Sequence, residues 1–187
     1  MVERKHALVI GGSGMLAGAS LWLARQGHQV SVIGRNTQKL KRLCDQHPYL
    51  YGVSADYSRA AEFAATLGDL MEKRGPANLV VAWIHDDEER VIGQTAEAIR
   101  IAGGADFAWD LYHVLGSSSN LDEILRKVPV PPECAYHQVQ LGFVIEGDRS
   151  RWLTHDEISN GVMECIENNR RRHVVGTLEP WEKRPGY

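Results

Sequence analysis

Three glycines within four positions, Gly11, Gly12 and Gly14, end an apolar run and precede a stretch of small and aliphatic residues. A chain that places glycine so densely between a buried strand and a helix leaves backbone for something to approach. The chemistry on offer is anion binding, because exposed amides and the helix dipole both favour negative charge. Gly12-Ser13-Gly14-Met15-Leu16-Ala17 has the spacing that holds a dinucleotide diphosphate. One glycine makes the turn, one admits the phosphate, and a small third residue lets helix meet strand. The frame Gly11, Gly14, Ala17 fits equally, and Gly18 follows directly. No Lys-Ser/Thr pair follows the glycines, which argues against a triphosphate loop.

The next informative residues are Gly34-Arg35-Asn36, with Arg35 lying 21 positions beyond Gly14. An acid in that region would bond a bare ribose diol. A guanidinium instead grips a 2′-phosphate bidentately, which selects NADP(H) over NAD(H). Asn36 and Lys39 stand beside it. A methyltransferase on the same architecture is disfavoured, because that chemistry also wants an acid where Arg35 stands. Reduction of a carbonyl needs a proton donor within hydrogen-bond reach of the developing alkoxide. His85, at the carboxyl end of the fourth expected strand, lies on the side of the sheet where ligands bind. His113 and His137 fall inside expected strands and read as core or edge residues, as do Trp83 and Trp109. The run Asp86-Asp87-Glu88-Glu89 fans around a helix start, where acids suit the dipole, and no metal is expected there.

These groups need elements to position them, and the hydropathy pattern supplies an alternation of strand and helix. Strands are expected at His6–Gly11, His28–Gly34, Tyr49–Ala55, Asn78–His85 and Ala108–Leu115. A sixth runs from Ala135 through Glu146, and a short seventh from His173 to Gly176. Amphipathic stretches separate the strands, and Thr154-x-x-Glu157 is a capping-box signature for the last long helix. The reading is an α/β fold: one doubly wound parallel sheet of Rossmann type, three layers α/β/α, in one domain spanning residues 1–187.

A formal net charge of −3 excludes a broadly basic nucleic-acid surface. The dense basic run Arg170-Arg171-Arg172 with His173 is expected to close a helix, where cations suit the carbonyl end. Three scattered cysteines without C-x-x-C point away from disulfides and structural zinc and toward a reducing cytosol. No apolar run has the length of a membrane span, and no signal peptide is visible, so a cytoplasmic location is expected.

On "VIGGSGMLAG", "VIGRN", "SADYS" and "VVAWIH" the chain resembles the short-chain dehydrogenase/reductases, from Ala7 to about Val175. Its glycine spacing is nearer the atypical branch. The resemblance implies that Asp56 contacts the adenine with Tyr57 beside it, and that Ala82-Trp83-Ile84 runs along the cofactor ribose. It also implies that Leu141-Gly142-Phe143-Val144 borders the nicotinamide. Ser117, with Ser118 and Ser119, stands where the family keeps its catalytic serine.

The departures concern catalysis. The family pairs a tyrosine with a lysine four residues on. Tyr49, Tyr51, Tyr57, Tyr112 and Tyr136 are followed there by Val53, Ala55, Ala61, Gly116 and Gln140. Only sixteen residues separate Ser119 from Tyr136, and Pro129, Pro131 and Pro132 are among them. The expected function is an NADP(H)-binding oxidoreductase moving hydride to or from a small carbonyl or alcohol, with Ser117 and His85 as catalytic candidates. The alternative is a non-catalytic NADP(H)-binding redox sensor or regulatory module. A small-molecule substrate and a homodimer complete the expectation.

Overall fold

The structure is a computed structural model that describes residues 4–186. Strand β1 (His6–Ile10) is buried at every position, as a strand covered on both faces must be. Its one polar residue, His6, is accommodated by hydrogen bonds to the Gly75 carbonyl and the Ser31 hydroxyl. From β1 the chain passes through α1 (Ala17–Arg25) to β2 (Gln29–Gly34), then α2 (Thr37–Cys44) and β3 (Leu50–Ser54). Helix α3 (Ala60–Arg74) carries it back to β4 (Ala77–Trp83) on the other side of β1. Then follow α4 (Glu88–Gly103), β5 (Trp109–Leu115), α5 (Leu121–Lys127) and β6 (Cys134–Leu141).

The seven-stranded sheet has the order β3-β2-β1-β4-β5-β6-β9, where β9 spans Arg172–Val175, and every pairing is parallel. The direction of winding reverses between β1 and β4. In open α/β sheets that reversal opens a crevice at the carboxyl ends of the strands, and the glycine turn after β1 stands there.

Two apolar layers hold the helices to the sheet. One joins Val9, Val32 and Val81 to Leu23 of α1 and Val162 of α6 (His155–Glu167). The other joins Leu8, Val80 and Leu111 to Phe63 and Leu67 of α3 and Ile92 of α4. Among the described residues no helix is long and apolar enough to cross a membrane.

Two sequence expectations change. The expected sixth strand breaks at Gly142: β6 ends at Leu141, and β7 (Phe143–Glu146) turns out to pair antiparallel with β8 (Arg149–Trp152). The cause is the backbone of Thr177, whose carbonyl lies 2.1 Å from where a Gly142 Cβ would stand and which bridges Phe143. The basic run does not close a helix either. Helix α6 ends at Glu167, Asn169 turns the chain with φ +49°, and Arg172 and His173 begin β9.

Helix α6 starts with the expected capping box. The Glu157 N–H donates to Thr154 Oγ1 at 3.2 Å, and the Thr154 N–H donates to Glu157 Oε2 at 2.8 Å. Arg151 also donates to Glu157, and together with the Thr154 amide it pulls that carboxyl down to about 2. Thr154→Ala is expected to cost about 1 kcal/mol of stability, read from the denaturant midpoint at constant slope.

His113 in β5 is fully buried, with Nδ1 bonded to the Tyr136 hydroxyl at 2.8 Å and Nε2 buried without a partner among the described residues. Burial lowers it from 6.5 to about 4. Between those values the unfolded chain binds a proton that the folded chain refuses, so the stability His113 confers is full above pH 6.5. It is lost as pH falls toward 4. Comparing unfolding free energies at pH 7 and pH 4.5 should show a smaller drop in His113→Phe than in the parent chain.

Candidate functional site

The three glycines of the turn do three different things. Gly11 adopts φ +79°, donates its N–H to the Ile33 carbonyl at 3.0 Å, and would place a Cβ 2.7 Å from the Trp83 carbonyl oxygen. Gly12 admits α1 to the sheet, since a Cβ there would meet Val9 at 2.5 Å and Val32 at 3.0 Å. Gly14 alone of the three meets open space, with nothing within 4 Å. The N-cap of α1 is Leu16, which offers no side-chain acceptor to the first-turn amides. The Ala17 N–H already donates to the Gly14 carbonyl at 3.0 Å, so this helix start, beside an open glycine at the switch point, would cradle an anion through its dipole and the amides of the glycine turn.

The cradle is clamped from behind. Ser159 of α6 donates its hydroxyl to the Met15 carbonyl at 2.8 Å and accepts the Ala19 N–H at 3.2 Å. Ser13 packs its hydroxyl over Gly34, where a Cβ would stand 2.9 Å from it. The Gly11–Ile33 hydrogen bond ties the turn to the end of β2, which Arg35 follows.

Arg35 is exposed at that end, and Asp56 follows the neighbouring β3. Hydrogen bonds from Ser58 chiefly hold the Asp56 carboxyl below its ordinary range, and the charges of Arg35 and Arg59 add to this. Asn36 accepts the Lys39 N–H at 2.9 Å and so caps α2. The Tyr57 hydroxyl accepts the His85 N–H at 3.2 Å, and its carbonyl receives Arg90, which ties the end of β3 to the end of β4.

On the other side of the turn a cavity of about 330 Å³ opens at the carboxyl ends of β4, β5 and β6. Met15, Trp83, Gly116, Ser117, Leu141 and Gly142 line it, together with Trp152, Leu153, His155 and Ile158. Trp83, read from sequence as core, is half-buried and forms part of this wall, whereas Trp109 is buried. Ala82 and Ile84 turn into the opposite apolar layer. The Ser117 hydroxyl accepts from Arg184 Nε at 3.1 Å. Gln140 steadies the serine loop by donating to the carbonyls of Gly116, Ser117 and Ser119.

His85 lies outside the wall. It is exposed, and its Nε2 accepts the Trp83 indole N–H at 2.9 Å. Because indole only donates, the ring proton of neutral His85 sits on Nδ1.

No family model and no curated protein matches the sequence. Solved structures do match. The chain superposes on a short-chain dehydrogenase from Streptomyces avermitilis with a TM-score of 0.66 at 11% identity, covering 95% of this chain and 89% of that one. A betaketoacyl-ACP reductase from Bacteroides thetaiotaomicron gives 0.68 at 14% identity, covering 93% and 98%. The F189W actinorhodin polyketide ketoreductase, solved with NADPH, gives 0.68 at 14% identity, covering 92% and 96%. This chain has the short-chain dehydrogenase fold.

Within that fold the segment between β5 and β6 holds only α5, seven residues long. Tyr112 and Tyr136 are buried in strands, where loss of solvent pushes both phenols far up. Neither can take the role of an activated tyrosine. The short-chain dehydrogenase fold here gathers other groups around the cavity instead. Sequence reasoning missed Trp152, His155 and Arg184, which come from the hairpin, the start of α6 and the C-terminal segment. The capping box announced the helix start at residue 155, but nothing local to the sequence says that this start faces the ends of β5 and β6.

Proposed function

We propose that this chain is an NADP(H)-binding oxidoreductase that moves hydride between the cofactor and a small carbonyl or alcohol. The observation that carries the reading is the line formed by Arg35, the open position at Gly14 and the 330 Å³ cavity. It runs along the carboxyl edge of the sheet across the switch point. The turn amides and the start of α1 would hold the diphosphate, Arg35 the 2′-phosphate, and Asp56 the adenine. The bound cofactor supplies the hydride.

Ser117 would hydrogen-bond the carbonyl oxygen. His155 is the one histidine that lines the cavity, so its imidazole is placed to give the developing alkoxide its proton. The apolar wall of Met15, Leu153 and Ile158 keeps water from the reacting carbon. Three free thiols, at Cys44, Cys134 and Cys165, suit the cytoplasmic setting of this reading.

The missing tyrosine–lysine pair favours a second reading, a sensor that binds the same cofactor without turnover. Calorimetric titration with NADPH and NADH tests the shared part, and failure of both to bind removes both readings. Incubation of the NADPH complex with a panel of small aldehydes and ketones then separates them. Sustained oxidation of the cofactor excludes the sensor.

A further inference from the structure

Resting on that reading of the cavity, we propose that Arg184 is a positioning residue that fixes the Ser117 hydroxyl as a hydrogen-bond donor toward the substrate carbonyl. The backbone of the serine loop is already held. Gln140 donates to the carbonyls of Gly116, Ser117 and Ser119, and the Ser119 N–H closes a turn on the Gly116 carbonyl at 3.1 Å. What remains to be set is the direction of the hydroxyl, which has one proton to give and lone pairs to receive. Arg184 Nε donates to Ser117 Oγ at 3.1 Å. A guanidinium only donates, so the hydroxyl accepts on that side and its own proton must point elsewhere. Among the described residues no protein acceptor takes that proton. Ser117 lines the cavity, where a ligand oxygen can receive it.

The donor that sets this direction is itself braced. The guanidinium carbon of Arg184 lies 5.2 Å from the ring centre of Trp152, in β8, and 4.8 Å from that of Trp181. The segment that carries it is pinned to the hairpin. Thr177 and Phe143 exchange two backbone hydrogen bonds of 2.9 Å, Thr177 Oγ1 accepts the Glu179 N–H at 3.2 Å, and the Arg184 N–H donates to the Trp181 carbonyl at 3.0 Å. Because a guanidinium stays protonated, its Nε donates throughout the working pH range. Linked hydrogen bonds also polarise one another, so a hydroxyl that accepts from a cation donates its own proton more strongly. That suits an aldehyde or ketone oxygen, which can only accept.

The test is a double-mutant cycle on the binding of 3-methyl-2-butanone to the NADP⁺ complex, which cannot transfer hydride, followed by calorimetry. Ser117→Ala should weaken the ketone about fivefold, and Arg184→Leu, which keeps bulk without a donor, about threefold. Added to Ser117→Ala, Arg184→Leu should change the affinity by less than about 1.5-fold, because its route to the ligand is gone. Arg184→Lys restores a donor and should recover part of the loss. NADP⁺ affinity should stay within about twofold throughout, and thermal melts confirm that the variants fold. Neutron diffraction from a deuterium-exchanged wild-type crystal gives a readout that needs no variant: the Ser117 deuterium should point into the cavity.

Effects of the two substitutions that simply multiply overturn the proposal, as does an Arg184→Leu complex that binds the ketone like the wild type. So do an Arg184→Lys chain no better than Arg184→Leu, no ketone binding by the wild type, or a Ser117 deuterium aimed at a protein carbonyl. A collapse of NADP⁺ affinity in Arg184→Leu would assign the guanidinium to the cofactor and has the same force. If NADP⁺ fails to bind the wild type, the oxidoreductase reading falls by itself. The same cycle on the cofactor-free chain then decides the role of Arg184: coupling to Ser117 upholds it and independent effects end it.

Discussion

Arg35→Ala should lower the affinity for NADPH by about a hundredfold while leaving that for NADH within a factor of about two. The magnitude follows from removing a charge-assisted, bidentate contact to a phosphate, worth roughly 1.5–3 kcal/mol when its partner is left behind. The selectivity follows from position. Arg35 stands at the end of β2, one strand away from β1, and the turn it would assist is already tied to β2 by the Gly11–Ile33 hydrogen bond. Removing the guanidinium therefore leaves the diphosphate cradle intact. Arg35 also contributes to holding the Asp56 carboxyl low, after the Ser58 hydrogen bonds. That contribution is common to both cofactors and cancels in the comparison. Parallel titrations of the two nucleotides into wild type and variant measure the swing. A variant that loses both equally would show that Arg35 organises the loop and does not read the phosphate.

The second large effect separates fold from ligand within a single turn. Gly11→Ala is expected to lose about 3 kcal/mol of stability or more. The residue would have to hold φ +79° with its Cβ 2.7 Å from the Trp83 backbone carbonyl, and a backbone atom cannot swing away. Gly14→Val is expected to change stability by no more than about 0.5 kcal/mol, because the new side chain enters open space at a φ outside the left-handed region. It should nevertheless weaken NADPH binding by about tenfold or more, since that open space is where the diphosphate would lie. Denaturant melts and calorimetry on the two variants decide the matter. A Gly14→Val chain that binds NADPH as the wild type does would mean that the opening at the switch point serves no dinucleotide.

These two predictions differ in how much of their basis was legible before the fold was known. The spacing of the glycines and the arginine 21 positions later are sequence facts, and so is the alternation that yields a parallel sheet. What sequence could not distinguish was which glycine faces a ligand and which faces protein. Gly12 is a packing glycine and Gly14 an open one, although both occupy motif positions. The difference lies in Val9, Val32 and Trp83, which reach the turn from three separate strands. Trp83 shows the same limit, because a tryptophan in a strand is as apolar in a cavity wall as in a core.

The residues nearest the proposed chemistry were the hardest to foresee. Thr177 reaches Gly142 across 35 positions of chain, stops β6 and releases the hairpin whose last residue, Trp152, helps line the cavity. Arg184 reaches Ser117 from 67 positions away. Local patterns of charge and hydropathy report which face of an element is apolar, because neighbours along the chain share that face by helix or strand geometry. They carry no information about which distant segment will cover an edge. The amino-acid order alone thus determined most of the elements, the sheet class and the glycine turn, each of which depends on local periodicity or local backbone freedom. Tertiary structure alone decided the strand order, the break at Gly142 and the meeting of Ser117, His155 and Arg184, because each depends on contacts between segments far apart in the chain.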